Sequence, residues 1–418
     1  MDGVLKLQLI VFFLCFYSSF TRHSVVESWS LVKSHISDDL DFSNLILGLI
    51  DMIFLFSYAA GNITLGYLAD KYNPKKILCY SIIMSSVPYI AILLMTVFLY
   101  KVAALYVVFF LFNGFFQGAI WPCCISIMGN WFSVSNRGKI MGIWIINSSL
   151  GNILGSQGAS GMVSKGIKWQ LALITFVYFY VFSLYLNIFF LKEKPEGHAG
   201  THENIKIVSL KHALKMPGVI NYSIIFACVK MVHYSFILWL PSYIYKQLNE
   251  SEFEGGVLAS LYDIGGLAGC VIIGWITDKI SCRVYVFFPL LIGSLPLILS
   301  FTLGSNKTIW IFYMLIPIVG LIMGGVSNLI ASAVAADLGQ SDNDEYDSRT
   351  TVVGIIEAAG GVGAGLGQII IGRIVGEDWN NVFYVTFGVT LFAVFAMVPI
   401  VIRAIKTPKV DHQKEDEI

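Results

Sequence analysis

Two cations interrupt stretches of chain that are otherwise apolar. Arg22 and Lys230 each fall inside a long apolar run, and they stand 208 residues apart. A charge held deep in a bilayer is costly and usually serves a task. Two such cations facing one space call for an anion between them. The planar fork of Arg suits a phosphate group, and Lys adds a point charge. The competing reading is that each is neutralised by an internal acid, for which Asp51, Asp263 and Glu357 are available. His233 follows Lys230 by three residues on the same helix face. It either adds a donor that titrates near neutral pH or is a capped polar group at a helix surface. Asp51 and Asp263 occupy the second apolar run of each half and read as structural ion pairs or gate residues. The chain has seven Cys, most inside apolar runs and none at metal-ligand spacing, so they read as small buried apolar residues. No metal set, cofactor loop or nucleophile–base pair is visible, and an enzyme is not expected.

The elements that position these charges follow from composition. Hydrophobic residues make up 56% of the 418 and charged residues 13%, against about 25% charged in a soluble domain. The expected solvent is lipid. A net charge of zero gives no reason to expect a nucleic-acid partner. About 20 apolar residues cross a bilayer core. Runs of that kind lie near 6–32, 44–67, 77–99, 103–129, 139–161, 169–191, 217–245, 255–276, 284–304, 308–333, 351–374 and 382–404. The segment Met1–Phe20 resembles a signal peptide but lacks a small-residue cleavage site, so it reads as the start of the first membrane helix. At 1.5 Å per residue, Arg22 lies about 24 Å along its helix from Lys6, and Lys230 about 20 Å from Pro217. Both are therefore deep.

Twelve spans put both termini on one side. With cytoplasmic termini, the cytoplasmic segments hold 18 of 27 Lys and Arg and the opposite segments six, Lys33 among them. That bias supports this orientation. The sequons at Asn249 and Asn306 then fall on the far side. The polar stretch after residue 191 divides the chain. The expected organisation is an N-terminal six-helix bundle over 1–191, a cytoplasmic linker over 192–216, a C-terminal bundle over 217–405 and a tail over 406–418.

The halves repeat. Gly66-Tyr-Leu-Ala-Asp70-Lys71 returns 208 residues later as Gly274-Trp-Ile-Thr-Asp278-Lys279. Gly142, Gly151 and Gly155 return 212 residues later as Gly354, Gly363 and Gly367, each set preceded by a basic residue, Arg137 or Arg349. These glycines read as close-packing positions. Parallel six-helix repeats imply an all-α membrane protein of two pseudo-symmetric bundles, the major facilitator fold, with its site between them at mid-membrane. The segment from Gly66 to Lys76 is similar to the loop signature of that superfamily, with Asn73-Pro74 near its usual Gly. The similarity implies a cytoplasmic clamp of Asp70, Lys71, Arg137, Asp278, Lys279 and Arg283.

A narrower resemblance lies in Asn113-Gly114-x-x-Gln117-Gly118-x-x-Trp121-Pro122, in Gly129-Asn130-Trp131-Phe132 and in Arg137-Gly138-x-x-Met141-Gly142-x-Trp144. Trp239-Leu-Pro241-x-Tyr243, Tyr262-Asp263 and Gly354-Ile-Ile-Glu357 carry it through the second half. The chain resembles the sugar phosphate exchanger family (solute carrier family 37) of organophosphate:phosphate antiporters. That resemblance implies exchange of a phosphorylated metabolite for inorganic phosphate, with Arg22 and Lys230 as the helix-one and helix-seven cations. The bacterial relative's helix-seven arginine aligns nearer His233. Three positions depart from the family pattern. His23-Ser24 stand where a second basic residue and Pro are usual, Asn147 stands where a substrate-site His is usual, and Glu357 replaces an Asp. The alternatives are a carrier of another organic anion on this fold or a non-transporting membrane receptor or scaffold. A functional monomer is expected, and the resemblance makes the endoplasmic reticulum membrane the first guess, with the plasma membrane or another organelle membrane as alternatives.

Overall fold

The computed structural model describes residues 2–98, 101–132, 140, 143–195, 210–280, 282–304, 309–334, 338, 349–375 and 378–406. For Asp70, Lys71, Asp278 and Arg349 it describes the backbone alone. Twelve long helices cross the molecule among these residues: α1 (Asp2–Leu40), α2 (Asn44–Lys71), α3 (Pro74–Val97), α4 (Ala103–Trp131), α5 (Ile146–Val163), α6 (Trp169–Phe190), α7 (Val219–Lys246), α8 (Glu252–Asp278), α9 (Val284–Ser300), α10 (Ile309–Leu329), α11 (Arg349–Ile374) and α12 (Trp379–Lys406). A short helix, Leu210–Lys215, precedes α7 and packs against α7 and α11. Eleven of the twelve are long and apolar enough to span a bilayer. The exception is α5, whose buried face is Asn147, Gly151, Asn152, Gly155, Ser156, Ala159 and Ser160.

Local chemistry sets the helix ends. Ser43 caps α2 by accepting from the Ile46 amide. Asn73 caps α3 by accepting from the Lys76 amide at 2.9 Å, with Pro74 at the first helical position. Ser251 and Glu254 form a capping box at α8. A turn at Gly118–Ala119 breaks α4 in two, and Gly118 lies against the α2 backbone at Asn62.

The packing of the first six helices recurs in the last six. Helix α1 packs on α5 and α6, as α7 does on α11 and α12. Helix α2 packs on α4, as α8 does on α10. Glycines make the closest seams possible: a Cβ on Gly363 would stand 2.7 Å from the Ala227 Cα, so α11 approaches α7 too closely for any larger residue. The halves meet through α2 with α11, α5 with α8, and α1 with α7. Each pairing obeys the same two-fold relation.

We call the side of the termini proximal and the other side distal. The bonds between described residues that join the halves gather at mid-depth and on the distal side. Ser30 Oγ donates to the Ile237 carbonyl at 3.0 Å. Ser156 and Ser260 share a hydroxyl bond at 2.8 Å, and Lys246 Nζ reaches Asp38 at 3.1 Å. His35 meets Glu252 at 3.4 Å. The distal side is shut.

Candidate functional site

Helix α1 carries many polar residues between Ser18 and Ser34, and most of that stretch is buried. Ser18, Thr21, Ser24 and Ser28 return their hydroxyls to carbonyls three or four residues back. These four hydroxyls are therefore satisfied within the helix before it meets a neighbour. Against this background Arg22 points to the seam between the halves. It is 5% exposed. Its Nε donates to Gln117 Oε1 at 3.3 Å, its Nη1 lies 3.3 Å from His23 Nε2, and its guanidinium carbon sits 4.8 Å from the Tyr58 ring centroid. Gln117 is itself fixed by Asn113 Oδ1 at 2.9 Å. No Asp or Glu lies within salt-bridge distance of Arg22 among the described residues.

Lys230, from α7, comes to the same place. It lies within electrostatic range of Arg22, Tyr58, Tyr234 and Glu357, and Tyr58 within range of both cations. Its ammonium lies over the rings of Phe226 and Tyr234, 5.2 and 5.3 Å from the centroids. Glu357 approaches it at 3.8 Å, near the outer limit of an ion pair, with 41% of the acid's side chain exposed against 18% for Lys230. The cation is thus held loosely. The two cations, two tyrosines and one acid form a single cluster at the junction of α1, α2, α7 and α11. Sequence reasoning reached Arg22, Lys230 and Glu357 and missed Tyr58 and Tyr234. Tyr234 sits one turn after Lys230, a spacing that could have marked it.

Three other expected site residues have bonds of their own. His233 Nδ1 is bonded to Tyr262 Oη at 2.8 Å and its ring leans on the Tyr262 ring, so it is engaged between α7 and α8. Asn147 is fully buried and donates to the Trp144 carbonyl of its own helical stretch, leaving its Oδ1 without a partner. Asp263 accepts from Asn152 Nδ2 at 2.9 Å, a bond between the halves.

Lys33 requires a correction. The count of charges placed it in a distal loop because the first run was read as ending near residue 32. Helix α1 instead continues to Leu40, and Lys33 is fully buried. Its ammonium pairs with Asp51, donates to the Leu238 carbonyl at 3.1 Å and lies 4.2 Å from the Trp239 ring centroid. Asp51 also accepts from Trp29 Nε1 at 3.2 Å. The serines around Lys33 lower local hydropathy, which hid the helix, and the bonded ion pair offsets part of the cost of burying the charge.

At the proximal ends, α2 closes with Asp70 and Lys71 in its last turn and α8 closes at Asp278. The side chains of Asp70, Lys71, Asp278 and Arg349, and all of Arg137, lie outside the described residues. Lys279 lies 3.5 Å from the centroid of its neighbour Trp275, and Arg283 Nη1 donates to Thr277 Oγ1 at 3.1 Å.

Residues 9–343 match the Major Facilitator Superfamily. Sugar phosphate exchanger 3 of Bos taurus is 31% identical over 90% of this chain and 84% of its own length. The Homo sapiens protein of that name is 30% identical over 91% and 84%. Putative glycerol-3-phosphate transporter 5 of Arabidopsis thaliana is 31% identical over 83% and 78%. Among solved structures, a mutant of the nucleoside transporter NupG superposes with a TM-score of 0.73 at 14% identity, covering 93% of this chain and 99% of that one. A bacterial homologue of the human lysosomal transporter Spinster, in an inward-facing, unoccupied conformation, gives 0.67 at 16% identity, covering 96% and 95%. At these identities the structural likeness shows the fold alone.

Proposed function

Because this chain belongs to the major facilitator superfamily and, within it, to the sugar phosphate exchanger family, we propose that it exchanges a sugar phosphate for inorganic phosphate by alternating access. The observation that carries this reading is the pair Arg22 and Lys230. One comes from the first helix of each half. They meet in one cluster, and neither is tightly neutralised by a carboxylate among the described residues.

In this reading the phosphate of either substrate sits between the guanidinium and the ammonium. Contacts to Gln117, His23 and Tyr58 hold the Arg22 plane before substrate arrives. Tyr58 and Tyr234 supply hydroxyls at the rim. Empty, the cations repel one another in a poorly solvated space, so the halves resist closing around nothing. An anion relieves that repulsion, which makes the exchange obligatory. Glu357 holds Lys230 between substrates and releases it when phosphate binds.

We further read the chain as two bundles, 1–191 and 217–405, joined by a cytoplasmic linker, and acting as a monomer with cytoplasmic termini. The proximal side is then cytoplasmic, and the conformation described here is shut on the lumenal or outer face. The first membrane to examine is that of the endoplasmic reticulum. Asp70, Lys71, Arg137, Asp278, Lys279 and Arg283 form the clamp that shuts the cytoplasmic side in the alternate conformation.

The test is counterflow of labelled phosphate in proteoliposomes against a panel of sugar phosphates. Uptake is expected only when phosphate or a sugar phosphate is inside. Arg22→Ala abolishes exchange and Lys230→Ala nearly does. Arg22→Lys keeps the charge and loses the fork. A lost charge-assisted bond of about 1.5–3 kcal/mol weakens binding roughly tenfold to a hundredfold. His233→Ala is milder, since its ring is committed to Tyr262. Normal exchange by Arg22→Ala would refute the site.

A further inference from the structure

We propose that Glu27 and Asp263 form a proton-binding site shared between the two halves, filled when the distal side is shut and emptied when it opens. The proposal rests on the alternating-access reading but not on the identity of the substrate.

Glu27 lies on α1 one turn beyond His23. It is 1% exposed, and its Oε2 has no hydrogen-bond partner. Its Cβ lies against α5 at Gly155. Asp263, on α8, is 7% exposed and accepts from Asn152, one turn from Gly155 on the same α5. The two acids thus reach one stretch of α5, one from each half. The strongest charge acting on Glu27 is that of Asp263.

The surroundings do not neutralise them. Lys33, the second charge acting on Glu27, is committed to Asp51, the Leu238 carbonyl and the Trp239 face. On the other side, Arg22 donates from Nη1 to His23 Nε2, which makes that ring an acceptor and leaves it neutral. Near the pair α5 contributes Asn152, Ser156 and Gln157 and no titratable group. Tyr262 and His233, from α8 and α7, are bonded to each other. No Lys or Arg lies within salt-bridge distance of either acid among the described residues. Among the buried side chains, Arg22 and Lys33 bring two positive charges and Glu27, Asp51 and Asp263 three negative ones, while the more exposed Lys230 and Glu357 offset each other. One proton balances them. No third carboxylate, His or Cys joins the pair to make a metal cage among the described residues.

Two carboxylates that cannot both ionise in a dry site hold one proton between them. That holds only while α8 lies against α1 and α5. When the distal side opens, Asp263 leaves with α8, each acid gains water, and the proton loses its second holder. Low pH therefore favours the distal-shut conformation, and rising pH opens it.

The experiment follows the separation of fluorophores placed at Lys165 and Asn249, which are exposed on distal loops of opposite halves. The full chain is used in liposomes without substrate. In the unmodified interior the separation lengthens as the pH rises from about 6 to about 9. Glu27→Gln abolishes the response, and Glu27→Asp retains it. Asp263→Asn, which replaces the same charge from the other half, abolishes it too and carries the test should Glu27→Gln misfold. A pH response unchanged in either neutral variant, or absent before substitution, overturns the proposal. Loss of phosphate exchange with an intact pH response would count against the substrate reading and leave the proton site standing.

Discussion

Replacing Lys33 by Met separates two functions of one side chain. Within the N-terminal half, Lys33 neutralises Asp51. Removing it strands a buried carboxylate, at a cost of about 3–5 kcal/mol in every conformation. Between the halves, its ammonium donates to the Leu238 carbonyl at 3.1 Å and faces Trp239 at 4.2 Å. A hydrogen bond from a charged group contributes about 1.5–3 kcal/mol and the ring contact about 0.5–2 kcal/mol. The distal-shut conformation alone loses that second sum. Taking about 3 kcal/mol, the ratio of shut to open falls by about 150-fold. Lys33→Met should therefore lower thermal stability and also shift the population toward distal-open, read by the separation of fluorophores on the distal loops. Adding Asp51→Asn removes the stranded charge, so the double variant should regain most of its thermal stability. It should not regain closure. If Lys33→Met and the double variant both remain distal-shut, the contacts to α7 do not hold the gate and the reasoning fails.

Three further outcomes are expected. A Cβ on Gly372 would stand 3.0 Å from the Gly48 Cα, where α11 meets α2 on the distal side. Gly372→Ala should wedge that seam by about 1–3 kcal/mol, reducing distal closure in the same distance measurement. Asp70→Asn should slow exchange more than it weakens substrate binding, and unchanged turnover in counterflow would remove Asp70 from the clamp. Asn73→Ala loses the α3 cap and the bond from Asn73 to Glu193, so thermal unfolding should show a loss of about 1–2 kcal/mol with transport little changed.

The fold was legible because its signals are long. Apolar runs, a sided charge bias and two motifs repeated at nearly constant spacing all report on many residues at once. Arg22 and Lys230 were legible because a charge in an apolar run stands out. Lys33 and Glu27 were not, since the serines that flank them make a buried polar helix look like a loop entrance. Tyr58 was hidden for the opposite reason: in a chain with 20 tyrosines, nothing in its surroundings marks it, whereas Tyr234 carried one signal, its spacing of one turn from Lys230. Asn147 was assigned from its place in a motif; its amide nitrogen donates to the Trp144 carbonyl and its Oδ1 has no partner among the described residues. A motif position fixes a residue's helix and depth; the rotation of that helix decides what the side chain meets.

The polar face of α5 bears on how the protein is made. This is the one span among the described helices that falls short in apolarity, and it lies between α1 and α8. During synthesis α5 leaves the ribosome long before α8 exists. Its hydroxyls and amides at Asn152, Ser156 and Gln157 then have no partner from the second half. Such a segment partitions poorly into lipid by itself, so its insertion must lean on α1 and the strongly apolar α6. Until α8 arrives, it presents a polar groove to lipid or to an insertion factor. A nascent chain stopped after α6 should remain bound to the insertion machinery, and one stopped after α8 should be released.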